Sequence, residues 1–216
     1  SRSLYFLSSR SGSSQVWRVA VTGAGEPGDA QAVTTLPVDV GGFRLSPDGR
    51  QLAVALDVFV DCATLACTVD RLAAQSKQKA SGRIYDRLFM RHWDAWKDGR
   101  RSHVFVVPVA GGGTPVDVMR GMDADAPTKP LGGSEEFTFT PDSRGVVFTA
   151  RDAGAAEPWS TNLDLYLAPI DGSATPRNLT ASNPATDVGP VFSSDGRTLA
   201  WRAMARVIAC LIHQVA

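Results

Sequence analysis

The sequence lacks most of the features that would point to a partner at once. Its 22 Lys and Arg balance 22 Asp and Glu, so the formal net charge is zero and the balance favours neither nucleic acid nor an anionic membrane surface. No apolar run reaches the length that crosses a bilayer, so no membrane span is expected. No initiator Met and no signal peptide opens the chain. It begins at Ser1 and is in a strand-like run, LYFL, by Leu4, which reads as an internal segment or a processed product. Cysteine is scarce: Cys62, Cys67 and Cys210. No second Cys pair and no suitably spaced His completes a zinc site, so no metal is expected. The C-x4-C spacing of Cys62 and Cys67 closes a small disulfide loop if the backbone curls, and otherwise leaves two buried thiols. The disulfide is the favoured reading, and it implies an oxidising compartment. Gly23, Gly25 and Gly28 match G-x-G-x-x-G after a strand, but Pro27 sits inside the motif and a β-type run follows it. A dinucleotide site needs a helix N-terminus at that point to hold the pyrophosphate, so no cofactor is expected.

What the sequence does have is a repeat. FRLSPDGRQLAVAL (43–56), FTFTPDSRGVVFTA (137–150) and VFSSDGRTLAWRA (191–203) share one form: an alternating apolar run, a Ser/Thr-x-Asp-Gly/Ser-Arg turn, and a second apolar run. The Asp accepts from backbone N–H groups two residues on, and the Gly or Ser beside it tolerates an awkward φ. Each copy therefore predicts a β-hairpin. The stretches that follow also match. HVFVVPVAGGG and TPVDVM (103–119) correspond to LDLYLAPIDG and TPRNLT (163–180), and QVWRVAVTGAG with DAQAVTTL (15–36) fits the same slot. The unit thus has four strands, and four-strand units of about 40–50 residues are the signature of β-propeller blades.

Spacing locates an insertion. Asp142 and Asp195 lie 53 positions apart, whereas Asp48 and Asp142 lie 94 apart. The excess falls at 57–101, where TVDRLAAQSKQK (68–79) has helical composition and RIYDRLFMRHWDAWKDGRR is rich in aromatics and bases. The expected fold class is all-β: a partial β-propeller of four-stranded blades with one helical insertion. Its blades are expected at 1–36, 38–121, 131–181 and 187–203, with 204–216 as a non-propeller tail.

GGSEEFTFTPDS (132–143), EPWSTNLDLYLAPIDG (157–172), NLTASNPATDVGPVFSSDGRTLAW (178–201) and IYDRLFMRHWDAW (84–96) together resemble the N-terminal propeller of prolyl-oligopeptidase-family serine peptidases. Within that family they are most similar to the secreted bacterial dipeptidyl peptidases related to acylaminoacyl peptidases. The resemblance spans roughly residues 1–203. It implies a propeller capping an α/β-hydrolase domain that carries Ser, Asp and His in that chain order. It also implies a peptide substrate reached through that domain, and a periplasmic or secreted location. This sequence departs from the family at the decisive place, because no G-x-S-x-G occurs in it. The chain is thus expected to stop short of the catalytic domain, to hold no catalytic residue and to be inactive alone. Of its three histidines, His103 begins an apolar strand and reads as structural, and neither His92 nor His213 has a triad partner.

In such peptidases the propeller screens substrates, and its carboxylates can anchor a peptide's free amine. Glu135 and Glu136 stand just before the strand FTFT, on a loop entering an innermost strand, and are the candidate ammonium anchor. Arg91, His92, Trp93 and Asp94 in the insertion are the second candidate for substrate contact, since inserted segments often line clefts. The bland alternatives are a solvated loop or an inter-blade salt bridge at 135–136, and an insertion that Trp93 and Trp96 pack against the blades while Arg91 pairs locally with Asp94. Trp159 reads as a packing residue. A different class of function, a periplasmic Tol-type propeller acting as a protein-binding module, fits the same hairpins.

Overall fold

The computed structural model describes residues 2–21, 28–80, 82, 84–85, 91–92 and 95–205. The chain forms successive antiparallel meanders. The first sheet holds β1 (Arg2–Ser8), β2 (Gln15–Val21) and β3 (Gln31–Ala32) in that order. The second begins with β4 (Val40–Leu45) and β5 (Gln51–Val58). After these come a helix, α1 (Leu65–Ser76), and a small hairpin, β6 (Arg91–His92) with β7 (Ala95–Trp96). The second sheet then resumes with β8 (Arg101–Pro108) and β9 (Val116–Asp117), giving the order β4-β5-β8-β9. The third sheet is β10 (Phe137–Phe139), β11 (Gly145–Ala150), β12 (Asp164–Pro169) and β13 (Arg177–Asn178). The fourth is β14 (Asp187–Phe192) with β15 (Leu199–Ala203).

Side-chain alternation shows why these sheets stack face to face. In β5, Leu52, Val54, Leu56 and Val58 join a core with Val16 of the first sheet, together with Tyr5, Val33 and Leu36. Ala53 and Ala55, on its opposite face, join a second core with Phe137, Phe139 and Phe148 of the third sheet. Strand β8 divides the same way, with Phe105 and Val107 on one side and Val104 and Val106 on the other. The small alanines leave room for the phenylalanine rings opposite, as close packing requires. Each large side chain removed from water contributes about 1.5–3 kcal/mol. Strand β11 repeats the pattern. Val146, Phe148 and Ala150 face the second sheet, and β14 lies against β10, β11 and β12. The first strands of the second, third and fourth sheets converge, since β4 touches β10 and β10 touches β14, and β4 also touches β2 of the first sheet. Antiparallel sheets stacked in chain order, the two central ones four-stranded, make the fold a partial β-propeller of mostly β structure, with one helix among the described residues of its insertion.

The three Asp turns are built alike. A Ser or Thr hydroxyl donates to the Asp at 2.6 Å in each (Ser46–Asp48, Thr140–Asp142, Ser193–Asp195). The same Asp oxygen accepts the N–H of Arg50, Arg144 or Arg197. These hydrogen bonds, the hydroxyl's first, hold all three carboxyls below the usual aspartate range. The next residue is left-handed in every copy: Gly49 at φ 70°, Ser143 at 60° and Gly196 at 70°. Ser143 is the exception in residue type, and its hydroxyl explains it. Asp48 N donates to Ser143 Oγ at 3.2 Å, tying the turn of the second sheet to that of the third.

Helix α1 starts at Leu65 rather than near Thr68, because Thr64 caps it by accepting from Cys67 N at 3.3 Å. Cys62 and Cys67 are joined by a disulfide that closes this entry, with their Cα atoms 5.5 Å apart. Arg71 reaches back to Asp61 with two bonds of 2.7 Å and lies over the Phe59 ring. Among the described residues no helix is long and apolar enough to cross a membrane.

Replacing Ser143 by Ala should lower stability by about 1 kcal/mol, since the cross-sheet bond goes while the left-handed backbone stays. Replacing it by Gly should come out near zero, because relief of the backbone offsets the lost bond. Thermal unfolding of the two variants separates the two effects.

Candidate functional site at the insertion pole

The meander fixes which loops share an end of the stack. Innermost strands run toward the Asp turns, and second strands run back. The β5–β8 insertion, the β11–β12 connection (151–163) and the crossings into each innermost strand therefore gather at one pole, and the Asp turns gather at the other. Glu135, Glu136 and the described part of the insertion, Arg91 included, belong to the first pole.

Glu135 and Glu136 are not the exposed pair expected. They form a short 3-10 turn, Ser134–Glu136, in which Glu135 is exposed and Glu136 is buried. One Glu136 oxygen accepts from Thr128 N at 2.7 Å and the other from Thr128 Oγ1 at 2.9 Å. Burial pushes the Glu136 carboxyl up despite these two bonds, and the charge of Glu135 adds to the rise. Glu136 thus pins the crossing into β10, and of the two carboxylates only Glu135 is exposed. Two neighbouring carboxylates are spent the same way. Asp39 accepts from Ser14 N at 2.7 Å, and Asp187 accepts from Trp201 Nε1 at 2.8 Å and Asn183 Nδ2 at 3.0 Å.

In the insertion, Arg91 and His92 form β6, and the Arg91 guanidinium lies 5.5 Å from the centre of the Trp96 ring. Trp96 stacks on Tyr85 with centroids 5.6 Å apart yet stays half exposed, so it does not pack the insertion onto the blades. Trp93 and Asp94 lie outside the described residues, as do Gly23 and Gly25 of the glycine motif and the end of the chain from 206. Trp159 corrects its expectation. It is 65% exposed, because the loop that carries it is held by a neighbour, Glu157, and needs no buried ring.

Glu157 belongs to a charge cluster that was not legible in the sequence. Arg101, at the head of β8 and nearly buried, donates to Asp123 at 2.8 Å, Asp125 at 2.9 Å and both oxygens of Glu157 at 2.7 Å. Lys97 adds a 3.2 Å bond to Glu157, and Ser102 N donates to Asp125 at 2.8 Å. One guanidinium thereby joins the base of the insertion, the crossing at 118–136 and the 151–163 loop. Burial works against its charge, but Glu157 and Asp125 outweigh burial and push Arg101 higher still. Burial likewise raises Glu157, and the hydrogen bonds and charge of Arg101 reverse that and hold it low. His103 is also structural. Its buried ring sits 2.9 Å from Asp117 Oδ2 and 3.1 Å from the Met122 carbonyl, tying β8 to the outer strand and the loop beyond. Among the described residues, no group of His, Cys, Asp and Glu could hold a metal ion. A cleft of about 620 Å³ runs along the outer rim, lined by Leu36, Phe105, Val107, Thr114 and Arg120; neither Glu135 nor any member of the Arg101 cluster lines it.

No family model matches the chain. By sequence it is related to dipeptidyl peptidases. Dipeptidyl-peptidase 5 of Porphyromonas gingivalis is 33% identical over 168 residues, covering 76% of this chain and 23% of that protein. Dipeptidyl-peptidase 5 of Porphyromonas endodontalis is 30% identical over 189 residues, covering 82% and 25%. The chain spans about a quarter of the length of the curated relatives it matches. Among solved structures, TolB from Acinetobacter baumannii overlaps 92% of this chain and 34% of its own at a TM-score of 0.49 and 13% identity. A putative TolB from Agrobacterium tumefaciens overlaps 82% and 58% at 0.36 and 20%. Those overlaps are too loose to add to the fold, which rests on the sheet order. The chain is a partial β-propeller related to peptidases.

Two variants test this chemistry. Arg101→Met strands buried carboxylates and should cost about 3–5 kcal/mol in urea unfolding. Glu136→Gln should remove a pH dependence. A carboxyl raised in the folded state stabilises the fold below its unfolded pKa, and that stability is lost as pH rises through the folded value. The parent should therefore lose stability as pH climbs from about 4.5 toward 7, whereas the Gln variant should lack that slope and match or exceed the parent at pH 7.

Proposed function

We propose that this chain is the propeller portion of a secreted or periplasmic serine exopeptidase of the dipeptidyl-peptidase kind, and that its hydrolase domain lies outside these 216 residues. In this reading the propeller does no chemistry. Its insertion pole faces incoming peptide, admits chains of suitable size and holds the free amine. The observation that carries the reading is the 33% identity to the Porphyromonas gingivalis dipeptidyl peptidase over 168 residues. The Cys62–Cys67 disulfide agrees with an oxidising compartment. Glu135 is the amine anchor here. It is exposed, and it sits beside a buried carboxylate that fixes the turn it stands on. An exposed carboxylate binds an ammonium through charge-assisted hydrogen bonds. The insertion segment that carries Arg91, His92, Trp93 and Asp94 is the second candidate for contact with the peptide.

The test uses the purified 216-residue chain and a matched pair of tripeptides, one with a free amine and one acetylated. The chain should turn over no dipeptidyl chromogenic substrate and should bind the free-amine peptide more tightly. Glu135→Gln should weaken that peptide roughly fivefold to tenfold and leave the acetylated one unchanged, the span expected for one charged contact. Turnover blocked by a serine-directed inhibitor, or equal binding of both peptides, would reject the reading.

A further inference from the structure

The first sheet has three strands where the second and third have four. Hydrogen bonds show which strand it lacks. The outer strands β3, β9 and β13 are two residues long in all three sheets. Just past each of them, Val33 N, Val118 N and Leu179 N donate to the carbonyls of Val16, Val104 and Leu165. One residue further on, Thr34 Oγ1, Met119 Sδ and Thr180 Oγ1 accept from the N–H groups of those same three residues. Val16, Val104 and Leu165 are therefore equivalent, and so are β2, β8 and β12. Strand β1 then corresponds to β5 and β11, the second strand of a sheet. Among the described residues, the first sheet lacks its innermost strand.

The pairing register carries the match into the sequence. Leu7, Ala55 and Thr149 pair with Val16, Val104 and Leu165. Five places earlier stand Arg2, Arg50 and Arg144, and the last two are the arginines whose backbone N–H groups bond to the turn Asp. The step that follows is also kept: Arg2-Ser3-Leu4 beside Arg50-Gln51-Leu52, Arg144-Gly145-Val146 and Arg197-Thr198-Leu199. Leu52 and Val146 are fully buried and pair with apolar residues of innermost strands, Leu45 and Phe139, whereas Leu4 is 57% exposed. Among the described residues no strand pairs with the edge of β1 that faces away from β2. A seven-residue strand with one open edge is a template for strand addition.

We propose that the free edge of β1 seats an innermost strand, supplied by the stretch of the same polypeptide that leads into Arg2 and ending in a fourth Asp turn. The other sheets give its chemistry. Leu45-Ser46-Pro47-Asp48, Phe139-Thr140-Pro141-Asp142 and Phe192-Ser193-Ser194-Asp195 all read apolar, hydroxyl, any residue, Asp. The seated strand runs antiparallel to β1, as β4 does to β5 and β10 to β11. It lies beside β4, because the innermost strands of successive sheets touch. Direct joining is favoured over a second copy, since the turn arginine already stands at the head of β1, where only a tight connection uses it. The propeller itself requires this strand, whether or not the chain serves a peptidase.

Two measurements test this. The natural sequence upstream of Ser1 should end in apolar, Ser or Thr, any residue, Asp, with that Asp directly before Ser1. Another residue in place of the Asp, or no hydroxyl two places before it, overturns the proposal. Hydrogen exchange then compares the 216-residue chain with the same chain extended by its own preceding residues, about ten, enough for one strand and its turn. Alternate amides of β1, those pointing away from β2, should exchange like loop amides in the first and about tenfold more slowly in the second. Exchange in β8 should be the same in both. Where the extended chain does not fold, the same residues added as a free peptide should slow β1 alike, and their failure to do so overturns the proposal. It also falls if the extension leaves β1 exchange unchanged, or if β1 of the 216-residue chain is protected increasingly with concentration, which puts a second copy on the edge. Failure of the Glu135 amine anchor alters none of these readouts.

Discussion

The structure depends on one constraint: its second sheet is apolar on both faces. A strand such as β5, with Leu52, Val54 and Leu56 on one side and Ala53 and Ala55 on the other, has no side to give to water. Such a sheet is stable only between two others. The first and third sheets supply that cover, and the third repeats the demand through Val146 and Phe148 on one face and the contact with β14 on the other. Stacking of this kind propagates outward until an apolar face meets solvent. Leu4, Leu7 and Val21 in the first sheet, and Val191 and Trp201 in the fourth, are exposed.

The same stacking creates the polar problem that Arg101 solves. Where the second and third sheets press together at the insertion pole, three loops meet. One planar guanidinium with its donors in a fixed fork satisfies carboxylates from two of those loops while standing at the base of the third. The cluster is a structural hub, and it sets how far apart the segments carrying Trp96 and Trp159 can stand. The candidate site is thus shaped by the core packing beneath it.

The hairpins were legible in the sequence because each carries its whole instruction locally: alternating apolar residues around an Asp with its hydroxyl partner two places earlier. The helical part of the insertion was legible in kind, but its start was misplaced by three residues. A Thr cap beside a cysteine gives little signal in composition. The site was less legible. Glu135 and Glu136 look equivalent in a string of letters, and only the approach of Thr128 from eight residues away makes one buried and the other exposed. The Arg101 cluster joins residues up to 60 positions apart, so no local pattern marks it. Trp159 reads as a packing residue in the sequence because tryptophans usually are, whereas it stands exposed two residues past Glu157, which the Arg101 cluster holds.

Ser143 carries one more consequence. At the place where its sister turns use glycine, the second turn keeps a hydroxyl that grips the backbone of the turn before it. Repeats that look interchangeable are therefore individually addressed. A copy of the first motif spliced into the second position would fold as a hairpin but would no longer recognise its neighbour. Blade order in this protein is written partly in a single side-chain oxygen, which limits how freely such modules could be shuffled, duplicated or transplanted.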